Sequence, residues 1–176
     1  MPISRLLVRA AAAALIITMP SVGSAASPKG NIVAAAQTSP DHKTLVTAVK
    51  AAKLIDTLAS KGPFTVFAPT DAAFAKLPAG TLDTLLKPEN RDQLTKILTF
   101  HVVPGQYTAA AILQLINQGG GEAKLTTAEG SQLTAKLQDG KVVIVDENGG
   151  VATVVQADLL QSNGVIHVTD AVSLPA

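Results

Sequence analysis

Four side chains of this 176-residue sequence are the candidates for catalysis or metal binding: Asp71, His101, His167 and Asp170. An imidazole acts as a general base or a metal ligand, and a carboxylate often acts beside it. The sequence has no His-x-x-x-His, no glutamate next to a histidine and no carboxylate pair at a catalytic spacing. We therefore predict no catalytic residue, no metal site and no cofactor. A cluster of the two histidines with an aspartate would have to be created by the fold.

Other catalytic classes lack their motifs. No Gly-x-Ser-x-Gly sequence occurs, so a serine nucleophile on a sharp strand-to-helix turn is not supported. The glycine run at 119–121 follows a predicted helix and lacks the Lys-Ser/Thr of a phosphate loop. The absence of cysteine removes thiol catalysis, disulfides and cysteine–metal sites. The sequence predicts a protein that is not an enzyme.

Each candidate side chain also has a structural interpretation. Thr70 or Asp71 follows a proline before a predicted helix, where a cap stabilises by about 0.5–2 kcal/mol. His101 falls on the apolar face of a predicted helix, which favours a neutral, hydrogen-bonded core histidine. His167 lies in a predicted strand, where a hydrogen bond across the sheet is favoured over catalysis. A cleft at His101 or His167 with a strongly shifted pKa would favour the chemical interpretation instead.

The first 25 residues are typical of a secretory signal peptide. Arg5 and Arg9 supply positive charge, an apolar run follows at 10–19, and small residues permit cleavage after Ala25 or Ala26. The apolar run is too short for a comfortable transmembrane helix, so an uncleaved N-terminal anchor is the weaker alternative. We expect export, to the periplasm, the cell surface or the medium, and no transmembrane segment after cleavage.

The mature chain has the size of one domain. Residues 26–30 are expected to form an exposed lead-in and residues 31–176 a single domain that buries its own core. Without Arg5 and Arg9, 12 basic and 13 acidic side chains remain, with the lysines scattered singly. Aromatic residues make up only 3% of the chain. Nucleic-acid binding is excluded, because there is no basic stripe for phosphates and there are few aromatic rings for bases.

Helical spacing covers the first half of the sequence and strand spacing the second. Residues 41–60 carry apolar side chains at helical spacing, with a break near Lys53 that would give two short helices. In the second half apolar residues alternate, and Asp-Gly at 139–140 and Asn-Gly at 148–149 favour tight hairpin turns. One strand of this meander is expected at 151–155, and the strand that closes it at 165–172. A helix-rich half followed by a strand-rich half predicts an α+β fold.

Three blocks, at residues 62–78, 98–105 and 163–175, carry the most specific pattern in the sequence. The first reads as a strand, a stop and a capped helix, and the last reads as a turn, a strand and a terminating proline. Their defining residues are Phe64, Phe67, Pro69, Thr70, Asp71, Phe74, Asn163, Gly164 and His167. In this order the blocks resemble the fasciclin domain, and the resemblance covers residues 31–175.

The resemblance implies a wedge of two packed β-sheets with several short α-helices along one side. It is closest to the compact, secreted, single-domain type found in bacteria, whose relatives are associated with host contact or symbiosis. It implies a cell-surface or matrix protein or polysaccharide as the partner, and no cofactor. We expect a monomer, with weak self-association left open.

Two short motifs carry the candidate contact residues that the resemblance implies. In adhesive members, an Asp followed by an aliphatic residue before the Asn-Gly turn is implicated in binding integrins. Asp158, Leu159 and Leu160 occupy these positions, although the flanking residues differ, and an ordinary turn with Leu159 buried is the alternative. A Tyr-His pair of the family is Phe100-His101 here, which keeps the ring but lacks the hydroxyl.

The function that the sequence favours is non-catalytic adhesion or interaction at the cell surface or in the extracellular matrix. One alternative is a small-ligand binder or enzyme with a pocket near His101. The other is a structural envelope protein that self-associates through an apolar patch at Leu159-Leu160 or through the edge strands of the meander.

Overall fold

Helices dominate the first half of the chain and strands the second, so the α+β prediction is confirmed. The structure is a computed structural model that describes residues 30–176; the predicted signal peptide and residues 26–29 of the predicted lead-in lie outside the described residues. The helices of this part are α1 (Ile32–Thr38), α2 (Lys43–Ala51), α3 (Ile55–Ala59), α4 (Asp71–Ala75), α5 (Thr81–Leu85), α6 (Arg91–Phe100) and α7 (Ala109–Gln118). A 3-10 turn at Pro88–Asn90 leads into α6. The strands are β1 (Phe64–Pro69), β2 (Val102–Pro104), β3 (Glu122–Thr126), β4 (Gln132–Gln138), β5 (Lys141–Val145), β6 (Val151–Gln161) and β7 (Gly164–Thr169).

The strands follow the order β2-β1-β7-β6-β5-β4-β3. β1 and β7 are parallel, and the other neighbouring pairs are antiparallel. The long strand β6 pairs with β5 at its start and with β7 along the rest of its length, so it belongs to two sheets. The predicted arrangement of two β-sheets with short helices is confirmed. The two ends of the strand order also meet, because the Ala128 N–H donates to the Val102 carbonyl at 2.7 Å.

Local sequence signals account for several boundaries. Lys53 has a φ of 56°, a value that no helix residue adopts, and the helical segment is split there into α2 and α3 as predicted. Thr108 caps α7, because its Oγ1 accepts a hydrogen bond from the Ala111 N–H at 3.3 Å. Thr70 caps α4 in the same way, accepting from the Ala73 N–H at 3.2 Å.

The central pair β1 and β7 separates two apolar cores. Successive side chains of a strand point to opposite faces, so Val66 and Ala68 join the core beneath α1, α2, α3 and α6, whereas Phe67 joins the core beneath α7. The phenylalanines are divided accordingly: Phe64 and Phe74 pack in the first core, and Phe67 and Phe100 in the second. β1 is buried on both faces, which explains its continuous apolar sequence.

Within residues 30–176, no helix combines the length and the apolar character needed to cross a membrane.

Candidate functional site

The segment that was expected to be a turn, residues 156–160, is part of strand β6. It pairs with β7 at Gln156↔Val168, Leu159↔Ile166 and Leu160↔Val165, with a shift of register between the first two pairs. The prediction that the strand ends at residue 155 and is followed by a turn was therefore wrong. The shift accommodates one extra residue as a bulge, and Asp158 lies within it at a φ of 59°, a conformation that aspartate tolerates better than most residues.

The bulge aims Asp158 at the start of α7. Its Oδ1 accepts a hydrogen bond of 2.7 Å from the N–H of Ala109, the first residue of the helix. Its own N–H donates to Nδ1 of His167 at 3.3 Å. A carboxylate at this place complements the partial positive charge of the helix N-terminus. Asp158 thus joins β6, β7 and α7 while its side chain remains exposed.

Leu159 and Leu160 point to opposite sides of β6. Leu159, a candidate contact residue, is half-buried against the core beneath α1 and α2. Leu160 is 48% exposed. Of the predicted contact motif, Asp158 and Leu160 are therefore the residues that a partner could reach.

His167 is enclosed between the two sheets. Its Nε2 lies 2.6 Å from the carbonyl oxygen of Tyr107 and must donate to it, while Nδ1 accepts the Asp158 N–H. The ring stacks on Phe67 with centroids 5.6 Å apart. Burial lowers the pKa of His167 below its ordinary 6.5, against the opposing effects of the Tyr107 hydrogen bond and the Asp158 charge. The ring is therefore neutral, with both nitrogens engaged.

His101 is also buried, but in the other tautomer. Its Nδ1 lies 2.7 Å from the carbonyl oxygen of Ile97 and donates to it, and Nε2 accepts from the Ser173 N–H at 3.1 Å. Burial lowers the pKa of His101, against the Ile97 hydrogen bond and the charge of Asp146. The fold therefore gives each histidine its own set of main-chain partners and does not create a His101–His167–aspartate cluster.

The Phe100-His101 pair does not reach the surface. Phe100 is fully buried and His101 is 3% exposed, with their rings edge to face at 6.4 Å. A partner therefore cannot contact Phe100 or His101 directly, because both side chains fill the interior. The burial of Phe100 in the second core accounts for an aromatic ring at this position.

A narrow apolar cavity of about 40 Å³ adjoins His101. It lies between α1, α2 and the strands β1 and β7, and its walls include Ile32, Val49, Ile55 and Leu98. Pockets for small organic ligands typically have roughly 300–1,000 Å³. The cavity near His101 is too small for such a ligand in this conformation.

The aspartates of the candidate set are engaged by the main chain. Asp71 was expected to cap its own helix, but its Oδ1 accepts from the Thr44 N–H of α2 at 2.8 Å, so it caps a neighbouring helix instead. Asp170 Oδ1 accepts from the Thr153 N–H of β6 at 2.8 Å. In the part of the chain that the structure describes, no group of three or more His, Cys, Asp or Glu residues is arranged to hold a metal ion.

Asn163 and Gly164 form the turn between β6 and β7, against the start of β1. Asn163 Oδ1 accepts from the Ile32 N–H at 2.9 Å, and its Nδ2 donates to the carbonyls of Leu58 and Ser60 at 2.7 and 3.0 Å. Gly164 lies so close to the Phe64 carbonyl oxygen that a Cβ atom would collide with it. Both residues thus hold separate parts of the chain together.

The same turn borders a polar cleft of about 540 Å³ that no sequence motif indicates. Its walls come from four separate segments, at residues 31, 59–63, 106 and 161–164. A site assembled from such distant positions leaves no spacing pattern in the sequence, so only the fold could show it.

Comparison with known proteins agrees with this architecture. A model of the fasciclin domain matches residues 40–175. Protein sll1483 of Synechocystis is 54% identical over 144 residues, which cover 82% of this chain and 73% of that protein. The immunogenic protein MPB70 of Mycobacterium bovis is 37% identical over 149 residues, covering 82% of this chain and 68% of that protein.

A solved structure has the same fold. The FAS1 domain pair from the insect cell adhesion molecule Fasciclin I superposes with a TM-score of 0.71 at 22% identity. The match covers 82% of this chain and 50% of the solved chain. The family model spans most of the described residues, and the chain belongs to the fasciclin domain family.

Proposed function

We propose that this protein is an exported, non-catalytic adhesion module that binds a cell-surface or matrix protein or polysaccharide. The observation that carries the proposal is the rigid presentation of Asp158 and Leu160 on β6, where the bulge is held by hydrogen bonds to α7 and β7. A fixed charge beside an exposed aliphatic side chain supplies orientation and apolar contact area at little entropic cost on binding.

Membership of the fasciclin family supports the proposal, because the family includes adhesion-related proteins. The state of the histidines supports a non-catalytic role, since the lone pair of each ring is already used by a main-chain N–H. A general base needs that lone pair to accept a proton from a substrate.

Export belongs to the same proposal. The N-terminal sequence would direct secretion. Cleavage after Ala25 or Ala26 would release a mature chain whose folded domain spans residues 31–176. Expression of the full chain, followed by intact-mass measurement of the protein outside the cytoplasm, tests this step. We expect the mass of a chain that begins at Ala26 or Ser27. Retention of residues 1–25 on the exported protein would contradict the proposal.

Capture of the mature domain on isolated envelope or matrix material tests the contact surface. Leu160→Ser should reduce capture, because it removes the apolar part of the motif without touching the bulge. Leu137→Ser is the matched control, since Leu137 on β4 is 49% exposed, almost the same fraction as Leu160. Equal loss in both variants, or unchanged capture with Leu160→Ser, would contradict a contact surface at Leu160.

Asp158→Asn tests the charge separately from the fold. The asparagine side-chain oxygen still accepts the Ala109 N–H, so the bulge is kept while the negative charge is lost. Reduced capture without reduced thermal stability assigns the Asp158 carboxylate to the partner. Unchanged capture with lower stability assigns the charge to helix α7 alone.

The two alternative functions have less support. A ligand or substrate pocket at His101 conflicts with the 40 Å³ cavity and with the occupied ring nitrogens. Self-association by strand addition needs open sheet edges, whereas β2 is joined to the segment after β3 through Ala128 and Val102. Sedimentation of the mature domain tests this second alternative, and a monomer over the accessible concentration range is expected.

A further inference from the structure

The polar cleft at the β6–β7 turn has the size of a small-molecule site. Its volume of about 540 Å³ falls within the range typical of ligand pockets. The side chains that decide its chemistry are Ser60, Lys61, Gln106, Gln161, Ser162 and Asn163. It directly follows Leu160 along β6, so it continues the contact strand of the proposed function.

One side of the cleft is held rigid by hydrogen bonds that are already complete. The side chain of Asn163 is bound through both its oxygen and its nitrogen to three main-chain groups. The Ser162 N–H donates to the Gly30 carbonyl at 2.9 Å, which ties the turn to the start of α1. Ligand binding would therefore need little ordering of this wall, and preorganisation of this kind favours affinity.

The rim of the cleft carries polar groups that are still available. Lys61, Gln106 and Ser162 are exposed, and their side chains make no hydrogen bond or ion pair with any other residue of the described range 30–176. The Gln161 amide is held only by a long 3.4 Å contact with the Leu159 carbonyl. These groups comprise one ammonium, two carboxamides and one hydroxyl.

The chemistry of the lining selects a class of ligand. Lys61 is its one charged side chain, and neither an acidic residue nor an aromatic ring lines the cleft. Carboxamides and hydroxyls donate and accept, as the hydroxyl groups of a sugar require, and the ammonium supplies a partner for one carboxylate. An extended peptide would instead need apolar depressions for its side chains, which this lining of small and polar residues does not offer.

We propose that this cleft binds a carboxylate-bearing saccharide unit, such as a uronic acid residue of a polysaccharide. Lys61 pairs with the carboxylate, and Gln106, Gln161 and Ser162 bind the ring hydroxyls. The inference rests on the proposed adhesion function. It specifies the partner as a polysaccharide, which presents many copies of one such unit.

Titration of the ¹⁵N-labelled mature domain with a galacturonic acid trimer tests the assignment by chemical-shift changes. The expected shifts cluster at residues 60–63, 106 and 161–164. Lys61→Gln should weaken binding about tenfold or more, the usual size of a charge-assisted hydrogen bond. Lys141→Gln, which removes an exposed lysine at the β4–β5 hairpin, should leave the affinity unchanged. Gln106→Ala should weaken both the acidic trimer and a neutral galactose trimer.

Three outcomes would overturn the assignment. Shifts located elsewhere on the domain, equal weakening by Lys61→Gln and Lys141→Gln, or equally strong shifts with a glutamate trimer would each show that the cleft is not a saccharide site. Capture on envelope or matrix material, measured in parallel, separates this inference from the proposed function. Capture that persists without saccharide binding in the cleft leaves adhesion standing and refutes the cleft alone, whereas loss of both refutes the proposed function as well.

Discussion

His101 and His167 are hydrogen-bonded as opposite tautomers: Nδ1–H of His101 donates to the Ile97 carbonyl, and Nε2–H of His167 donates to the Tyr107 carbonyl. In each ring the other nitrogen accepts a main-chain N–H, from Ser173 and Asp158 respectively. Protonation of either ring would place a new ring N–H directly against the main-chain N–H that this nitrogen now accepts. The two imidazoles thus hold the fold together only while they are neutral.

We predict that stability falls in mild acid. Burial lowers the pKa of both histidines in the folded state below the 6.5 of the unfolded chain. The unfolded state therefore binds protons first. The stabilisation that the neutral histidines supply is fully present above the unfolded pKa, and it is lost as the pH falls through 6.5 towards the pKa values of the folded state. In that window each histidine lowers the free energy of unfolding by up to about 1.4 kcal/mol for each pH unit. Urea unfolding across this pH range measures the slope.

Proton NMR of the two rings supplies the control for this prediction. In the folded protein the carbon-bound ring protons of His101 and His167 should keep their positions through pH 6.5, because neither ring takes up a proton there. A titration of either ring centred on 6.5 would contradict the assignment of neutral, enclosed imidazoles.

Asp71→Ala should lower stability by about 0.5–2 kcal/mol, the usual cost of a lost helix cap. The loss arises at α2, since the carboxylate accepts the Thr44 N–H. Asp71→Asn is the matched control, because its side-chain oxygen keeps the hydrogen bond and should retain most of the stability. Hydrogen exchange at Thr44 identifies the helix concerned. Faster exchange confined to α4 would contradict the contact with α2.

Phe67→Ala should cost about 3–5 kcal/mol, as is typical for a buried phenylalanine. Phe67 is 1% exposed, packs in the same core as Phe100 and stacks on His167. Phe64→Ala on the same strand is the control, because Phe64 is only half-buried and its loss leaves a smaller cavity. Chemical denaturation compares the two variants, and equal losses would show that β1 is not buried as described.

Gly164→Ala should lower stability by about 3 kcal/mol, the upper end of the cost of overpacking. The added Cβ would meet the main-chain oxygen of Phe64, which cannot rotate away as a side chain would. The parallel pair β1 and β7 must then separate at its first residue. Ser162→Ala in the same turn adds no atom and should be almost neutral in thermal unfolding; an equally large effect there would point to the turn instead of the strand pair.

Short-range signals predicted much of this fold. The break at Lys53, the cap at Thr70 and the hairpin at Asp139-Gly140 all follow from residues within a few positions of each feature. These signals act through local backbone preferences, which the sequence displays directly. The fasciclin blocks added the arrangement of sheets and helices that local preference does not specify.

Contacts between distant segments were not predictable in the same way. Asp71 was assigned to its own helix because the Thr44 N–H lies in a separate element whose approach no spacing reveals. β6 was expected to end at residue 155, and the strand in fact continues through Asp158, a residue type that is depleted in strands. Pairing with β7 overrides that preference, and the bulge at Asp158 is the local adjustment that permits it.

The parallel pairing of β1 with β7 sets an order for folding. Phe64 lies opposite Gly164, so the central strand of the protein receives one of its two neighbours from a segment about 100 residues further along the chain. Contacts of such high sequence separation slow folding, because a long loop must close before they form. Until β7 has been synthesised, the wall that divides the two cores lacks one of its two strands, so neither core can be completed. For a protein that we propose to be exported, slow completion of the fold favours the unfolded state that passage through a narrow translocation channel requires.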